Sequence, residues 1–125
     1  MLGEYVLAEQ HWQEAYNQNM LIGAPDMAAS LGNNLGKVYT KLKEYEVAEQ
    51  MLLDALTNFD QLGDVTRWAN CMDNLADLYE EIGDLQACKR TLEQAITRLE
   101  PDATLEHSQK LLKTMQHRLE CLEPN

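Results

Sequence analysis

Glu4-Tyr5-Val6-Leu7-Ala8-Glu9-Gln10 returns as Glu44-Tyr45-Glu46-Val47-Ala48-Glu49-Gln50, and more loosely as Asp84-Leu85-Gln86-Ala87-Cys88-Lys89-Arg90, with an offset of 40 residues each time. A second element keeps the same offset: Asn34-Leu35-Gly36-Lys37-Val38-Tyr39 matches Asn74-Leu75-Ala76-Asp77-Leu78-Tyr79. A fixed period of this size signals an array of like units. Each unit buries its apolar face only against its neighbours, and such arrays commonly hold other molecules.

Apolar residues recur at helical spacing throughout, and strand-like alternation is absent. Six helices are expected: about Gly3 to Ile22, Asp26 to Leu42, Glu44 to Leu62, Val65 to Ile82, Leu85 to Leu99 and Ala103 to Leu122. The breaks between them have physical causes. Gly23, Gly63 and Gly83 can take the left-handed backbone that closes a helix, and Pro25 and Pro101 cannot continue one. Asp64 and Asp84 follow two of these glycines, where a short carboxylate accepts the free amide hydrogens of the next helix. Asp26 and Asp102 follow prolines and are expected to cap in the same way. Links this short make sequential helices antiparallel neighbours.

Side-chain size then sets the packing. Gly36 and Ala76 are equivalent small positions. Ala8, Ala48 and Cys88 form a second small set, and Ala15, Ala55 and Ala95 a third. Trp12, Leu52 and Leu92 are equivalent large positions, as are Tyr39 and Tyr79. Alternation of large and small lets helices interlock at close range.

Composition bounds the function. The chain has 125 residues, is 45% hydrophobic and carries a formal net charge of −11. That is one domain's worth of chain with an ordinary core. The acidity argues against direct binding to nucleic acid or to an anionic membrane, since both need a basic footprint. It admits two readings: a solvated acidic helix surface, or a partner of basic character. Cys71, Cys88 and Cys121 have no zinc or redox spacing, and Cys88 stands where other copies have alanine. A reduced, cytoplasmic setting is expected. His11, His107 and His117 show no metal spacing, and no Gly-rich phosphate loop is present. Asp73 and Asp77 share a helix face, but nothing in the sequence ties a third catalytic group to them. No enzymatic activity, metal or cofactor is expected.

These residues resemble tetratricopeptide repeats. The second repeat supplies Leu35-Gly36, Tyr39, Tyr45, Ala48, Leu52 and Ala55 of that pattern. The third supplies Leu75-Ala76, Tyr79, Gly83, Leu85, Cys88, Leu92, Ala95 and Pro101, and the first only a second half: Gly3, Tyr5, Ala8, Trp12 and Ala15. The family's usual period is about 34 residues. A period of 40 lengthens each hairpin by about one and a half helical turns. Repeats of this length resemble those of kinesin light chains, of Leu-Gly-Asn polarity adaptors and of bacterial regulators with helical-repeat sensor domains.

The resemblance implies an all-α fold of antiparallel hairpins stacked as a right-handed superhelix, an α-solenoid. It divides residues 1–125 into a half repeat (1–25), two repeats (26–63 and 64–101) and a capping helix or half repeat (102–125). Because the chain opens on a second-half helix, it reads as a fragment of a longer protein. Its first helix is expected to expose an apolar face around Tyr5, Ala8, Trp12 and Tyr16, suited to a homodimer. The last helix is expected to turn Leu105, Leu111, Leu112, Met115, Leu119 and Leu122 to one side and Glu106, Lys110, Lys113 and His117 to the other.

The resemblance also places a protein- or peptide-binding groove on the first helix of each hairpin. Asn34 and Asn74 match the asparagine that often hydrogen-bonds a bound peptide backbone, and an amide offers both donor and acceptor. Asn33, Lys37, Asn70, Asp73 and Asp77 follow on the same faces, with Ser30, Thr40, Lys41, Glu80 and Glu81 beside them. Lys37 and Asp77 occupy equivalent places and could instead pair laterally. The family's basic clamp for C-terminal carboxylates is incomplete, because Asp73 and Asp77 would repel such a ligand. The leading expectation is an interaction scaffold. A regulatory sensor segment and a self-association module are the alternatives.

Overall fold

The computed structural model describes residues 2–21, 25–103 and 105–122. They form α1 (Leu2–Leu21), α2 (Pro25–Lys41), α3 (Tyr45–Leu62), α4 (Val65–Ile82), α5 (Leu85–Leu99), a 3-10 turn (Glu100–Asp102) and α6 (Glu106–Leu122). The fold is all-α, and no strand occurs among the described residues. The chain divides into two compact units, Met1–Gly63 with α1, α2 and α3, and Asp64–Asn125 with α4, α5 and α6.

The helix ends follow from local chemistry. Gly63 and Gly83 take φ of 71° and 92°, and each closes its helix with its own amide turned back onto the preceding carbonyls. Asp64 accepts from the amide of Arg67 and Asp84 from that of Ala87, both at 3.1 Å. Lys43 holds the same left-handed conformation, φ 64°, at the end of α2. There the Glu44 amide reaches the Tyr39 carbonyl (2.9 Å) and the Lys43 amide that of Thr40 (3.1 Å). This is the hydrogen-bond pattern that glycine usually closes.

Three expectations need correction. Pro25 opens α2, so Asp26 lies in the first turn rather than at the cap. The fixed φ of proline suits that first position, where the missing amide hydrogen goes unused. Asp102 belongs to the 3-10 turn and α6 starts only at Glu106. Leu105 therefore precedes the helix and is largely exposed. The expected stop at Gly23 and the Tyr16 and Asp102 side chains lie outside the described residues.

In the first unit the core joins Ala28, Leu35 and Val38 of α2 to Ala48, Leu52, Ala55 and Phe59 of α3. Gly36 is the close-approach point. A methyl group there would sit 2.5 Å from Leu52 Cγ and Cδ2. In the second unit Ala69, Cys71, Leu75, Ala76 and Leu78 of α4 pack with Cys88, Leu92, Ala95 and Leu99 of α5, and Met115 of α6 is fully buried. Buried hydroxyls are satisfied locally: Thr40 and Thr91 donate to the carbonyls of Gly36 and Ala87, both at 2.8 Å.

Candidate functional site

α1 and α2 are joined by a short link and lie against each other in the first unit. Between them runs a cavity of about 440 Å³, lined by Glu4, Tyr5, Ala8 and Trp12 from α1 and by Asn34, Lys37, Val38 and Lys41 from α2. The α1 wall is mostly apolar. The α2 wall carries an amide and two ammonium groups one helical turn apart, so one side supplies burial and the other direction. Two of the groove residues expected from the sequence, Asn34 and Lys37, face this cavity, and so does Lys41.

The face expected for self-association partly coincides with it. Tyr5 is exposed, while Ala8 and Trp12 are half-buried and belong to the cavity wall. Among the described side chains of α1 the most exposed apolar ones are instead Leu7 and Val6. Deeper along the same helices Tyr39 is buried, with its hydroxyl donating to Glu9 Oε1 at 2.9 Å and Gln13 Oε1 at 3.2 Å. Burial, with the hydrogen bond to Glu9, pushes this phenol up to about 12.

The other expected residues are dispersed. Asn33 is buried in α2, and so is Thr40. Asn74 is buried in α4 and Asn70 is exposed on it. Both buried asparagines are hydrogen-bonded or otherwise engaged within the protein.

Asp73 and Asp77 are committed elsewhere. Arg118 of α6 reaches back to α4, with Nη1 2.9 Å from Asp73 Oδ1 and Nη2 3.1 Å from Glu80 Oε1, and it also pairs with Asp77. Burial alone would lower the guanidinium's proton affinity. The Asp77 and Asp73 carboxylates, helped by the Glu80 hydrogen bond, outweigh that and raise its pKa. One planar fork thus engages a row of three carboxylates, a geometry that a lysine would not reproduce. Nearby, burial raises the Cys88 thiol despite the opposing field of Arg118. Across the same unit Arg98 lies 4.4 Å from the centre of the Trp68 ring, and Thr66 and Ser108 hydroxyls share a 2.9 Å hydrogen bond.

Arg118 was missed by sequence reasoning because no local signal says that α6 turns this residue toward α4. The one available signal lies in the period. Position 118 follows Val38 and Leu78 at the 40-residue offset, so an arginine replaces two apolar residues in an inward-facing register. Among the described residues no cluster of three His, Cys, Asp or Glu side chains could hold a metal ion. Nor is any described helix long and apolar enough to cross a membrane.

A family model described as tetratricopeptide repeat matches residues 26–100. Among solved structures the chain is similar to BtubC (BKLC) from P. vanneervenii, with a TM-score of 0.70 and 18% identity over 98% of this chain. The chain spans 61% of the length of that protein's chain. At this identity the likeness concerns the fold. No curated protein matches the chain.

Proposed function

The chain belongs to the tetratricopeptide repeat family, and we propose on that premise that it is an interaction scaffold that takes a segment of a protein partner against α1 and α2. Repeats of this family mediate protein–protein contacts. What supports a position for the contact is one observation: Asn34, Lys37 and Lys41 converge on a cavity whose opposite wall is Tyr5, Ala8 and Trp12. An apolar wall with a few directed polar groups is the usual composition of a binding cleft. The scaffold is preorganised, so little ordering cost falls on the receptor when a partner docks.

The repeat boundaries fit this reading: a half repeat at 1–25, repeats at 26–63 and 64–101, and a cap or half repeat at 102–125. The net charge of −11 favours basic partners at long range. At contact distance local charges dominate, because screening confines exposed charges to about 10 Å, and the α2 rim is basic.

A pull-down compared between wild type and Asn34→Ala/Lys37→Ala tests the reading, with circular dichroism to show that both are folded. A partner captured by wild type and lost by the folded variant is the expected result. Equal capture by both would move binding off this cavity. Exposure of Val6 and Leu7 on α1 favours a second reading, self-association through that helix, which light scattering over a concentration series distinguishes.

A further inference from the structure

His117 and Cys121 stand four residues apart on α6, so both side chains leave one face of the helix, one turn apart. Cys121 Sγ lies 3.8 Å from His117 Nε2, and both residues are exposed. The histidines have no metal spacing among themselves, and neither do the cysteines. The mixed pair has one. Helix geometry sets donors at i and i+4 side by side, as in zinc sites that take two histidines at that spacing.

The separation suits a shared ion. A zinc–thiolate bond of about 2.3 Å and a zinc–imidazole bond of about 2.0–2.1 Å, meeting at a tetrahedral angle, hold sulfur and nitrogen about 3.6 Å apart. The observed span of 3.8 Å is wider by about 0.2 Å, within the tolerance of such sites. It is Nε2 that faces the sulfur, and a neutral imidazole protonated at Nδ1 offers its lone pair there.

The exposure belongs to the face of the repeat. Lys37 and Lys41 are the equivalents of His117 and Cys121 at an offset of 80 residues. They are exposed although α2 packs against both α1 and α3. Asp77 and Glu81 are the equivalents on α4, and they are exposed although α4 packs against α5 and α6. A helix with neighbours on two sides therefore leaves these positions open to solvent. Arg118, the cation next to His117, is held by the carboxylates of α4, which offset its charge.

We propose that His117 and Cys121 chelate one divalent cation of the zinc class, with Nε2 and the thiolate as ligands and water in the two remaining positions. Among the described residues no third His, Cys, Asp or Glu joins the pair, so the remaining positions fall to water. An imidazole and a thiolate select borderline and soft ions over Mg²⁺ and Ca²⁺, which prefer oxygen. As the sulfur–metal bond forms, the thiol proton passes to solvent and waters leave the ion's hydration shell. No oxidation state changes. The site belongs to the second unit and goes beyond the scaffold reading without resting on it.

The test titrates Co²⁺, a spectroscopic stand-in for Zn²⁺, into the untagged 125-residue chain kept reduced by a phosphine. The expected result is a saturable sulfur-to-cobalt charge-transfer band with the visible bands of tetrahedral cobalt, at one ion per chain. Zn²⁺ should displace the cobalt and excess Mg²⁺ should not. Cys121→Ser should abolish the charge-transfer band. His117→Ala should weaken binding by at least about tenfold, as loss of one of two ligands implies. His107→Ala should change nothing. All three positions are exposed, so the variants are expected to fold, and circular dichroism checks this.

Four results would overturn the inference. Absence of the charge-transfer band would remove the site. Full affinity in His117→Ala would reduce it to a lone thiol. Displacement by Mg²⁺ as readily as by Zn²⁺ would reduce it to ion condensation on an acidic surface. Uptake of one ion per two chains, with a dimer in light scattering, would replace the water-completed site by one shared between copies.

Discussion

Gly36→Ala adds one methyl group at the point where α2 meets α3. That carbon would lie 2.5 Å from both Cγ and Cδ2 of Leu52, whereas carbon atoms rest at about 3.5–4.0 Å. Roughly 1 Å of movement is therefore required of a side chain with no exposed surface. Overpacking of this kind costs about 1–3 kcal/mol. Alanine returns about 1 kcal/mol through its higher helix propensity, so the net destabilisation is about 0–2 kcal/mol. A double-mutant cycle isolates the contact from the propensity. Leu52→Ala alone should cost about 2–5 kcal/mol through the cavity it leaves. In the Gly36→Ala background the new methyl no longer clashes and partly fills that cavity, so Leu52→Ala should cost at least about 1 kcal/mol less there. The reverse exchange in the other repeat, Ala76→Gly, should also destabilise, because Ala76 is fully buried and glycine is the poorer helix former. Urea unfolding followed by far-UV circular dichroism measures all five proteins. A stabilised Gly36→Ala with no coupling to Leu52 would refute the close approach of α2 and α3.

Four further outcomes follow from particular residues. Arg118→Ala leaves Asp73, Asp77 and Glu80 without their cation. With half-exposed partners the loss should be about 1–2 kcal/mol rather than that of a fully buried pair, and smaller again in high salt, as salt-dependent urea unfolding would show. Lys43→Gly should stabilise by about 1 kcal/mol in thermal unfolding, because φ at this position is 64° and only glycine takes it without steric cost. Burial pushes the Cys71 thiol up to about 12 from 9, so the unfolded chain loses this proton first as pH rises. Stability is therefore intact below pH 9 and falls between about 9 and 12, by up to about 1.4 kcal/mol per pH unit, and Cys71→Ala should flatten that alkaline limb. In native protein at neutral pH a thiol reagent should titrate Cys121, which is exposed, before Cys71 and Cys88.

The helical hairpins were legible because each repeat announces itself twice, by an apolar period and by its punctuation. Gly63 with Asp64 and Gly83 with Asp84 state both an end and a start, and both pairs act that way in the structure. Lys43 shows where such reading stops. Its conformation is imposed by the carbonyls of Tyr39 and Thr40, and nothing about a lysine signals it. The start of α6 was misplaced because Pro101 was read as a simple break, while the chain spends Glu100–Asp102 in a tighter 3-10 turn. The candidate site divides along the same line. Asn34 was placed by its match to the repeat pattern and Lys37 by helical spacing on the same face, and both line the cavity. The engagement of Asp73 and Asp77 depends on Arg118, 45 and 41 residues further on, and a tertiary contact of that span leaves no local trace.

The two tryptophans offer the most direct test of binding at α1 and α2. Trp12 lines the α1–α2 cavity, and Trp68 lies against Arg98 in the other unit. Each gives one resolved indole N–H signal in a ¹⁵N-labelled chain. On titration with a captured partner, the Trp12 indole and the Asn34 side-chain amide should shift together while the Trp68 indole stays in place. A Trp68 shift with Trp12 and Asn34 unmoved would contradict binding at α1 and α2.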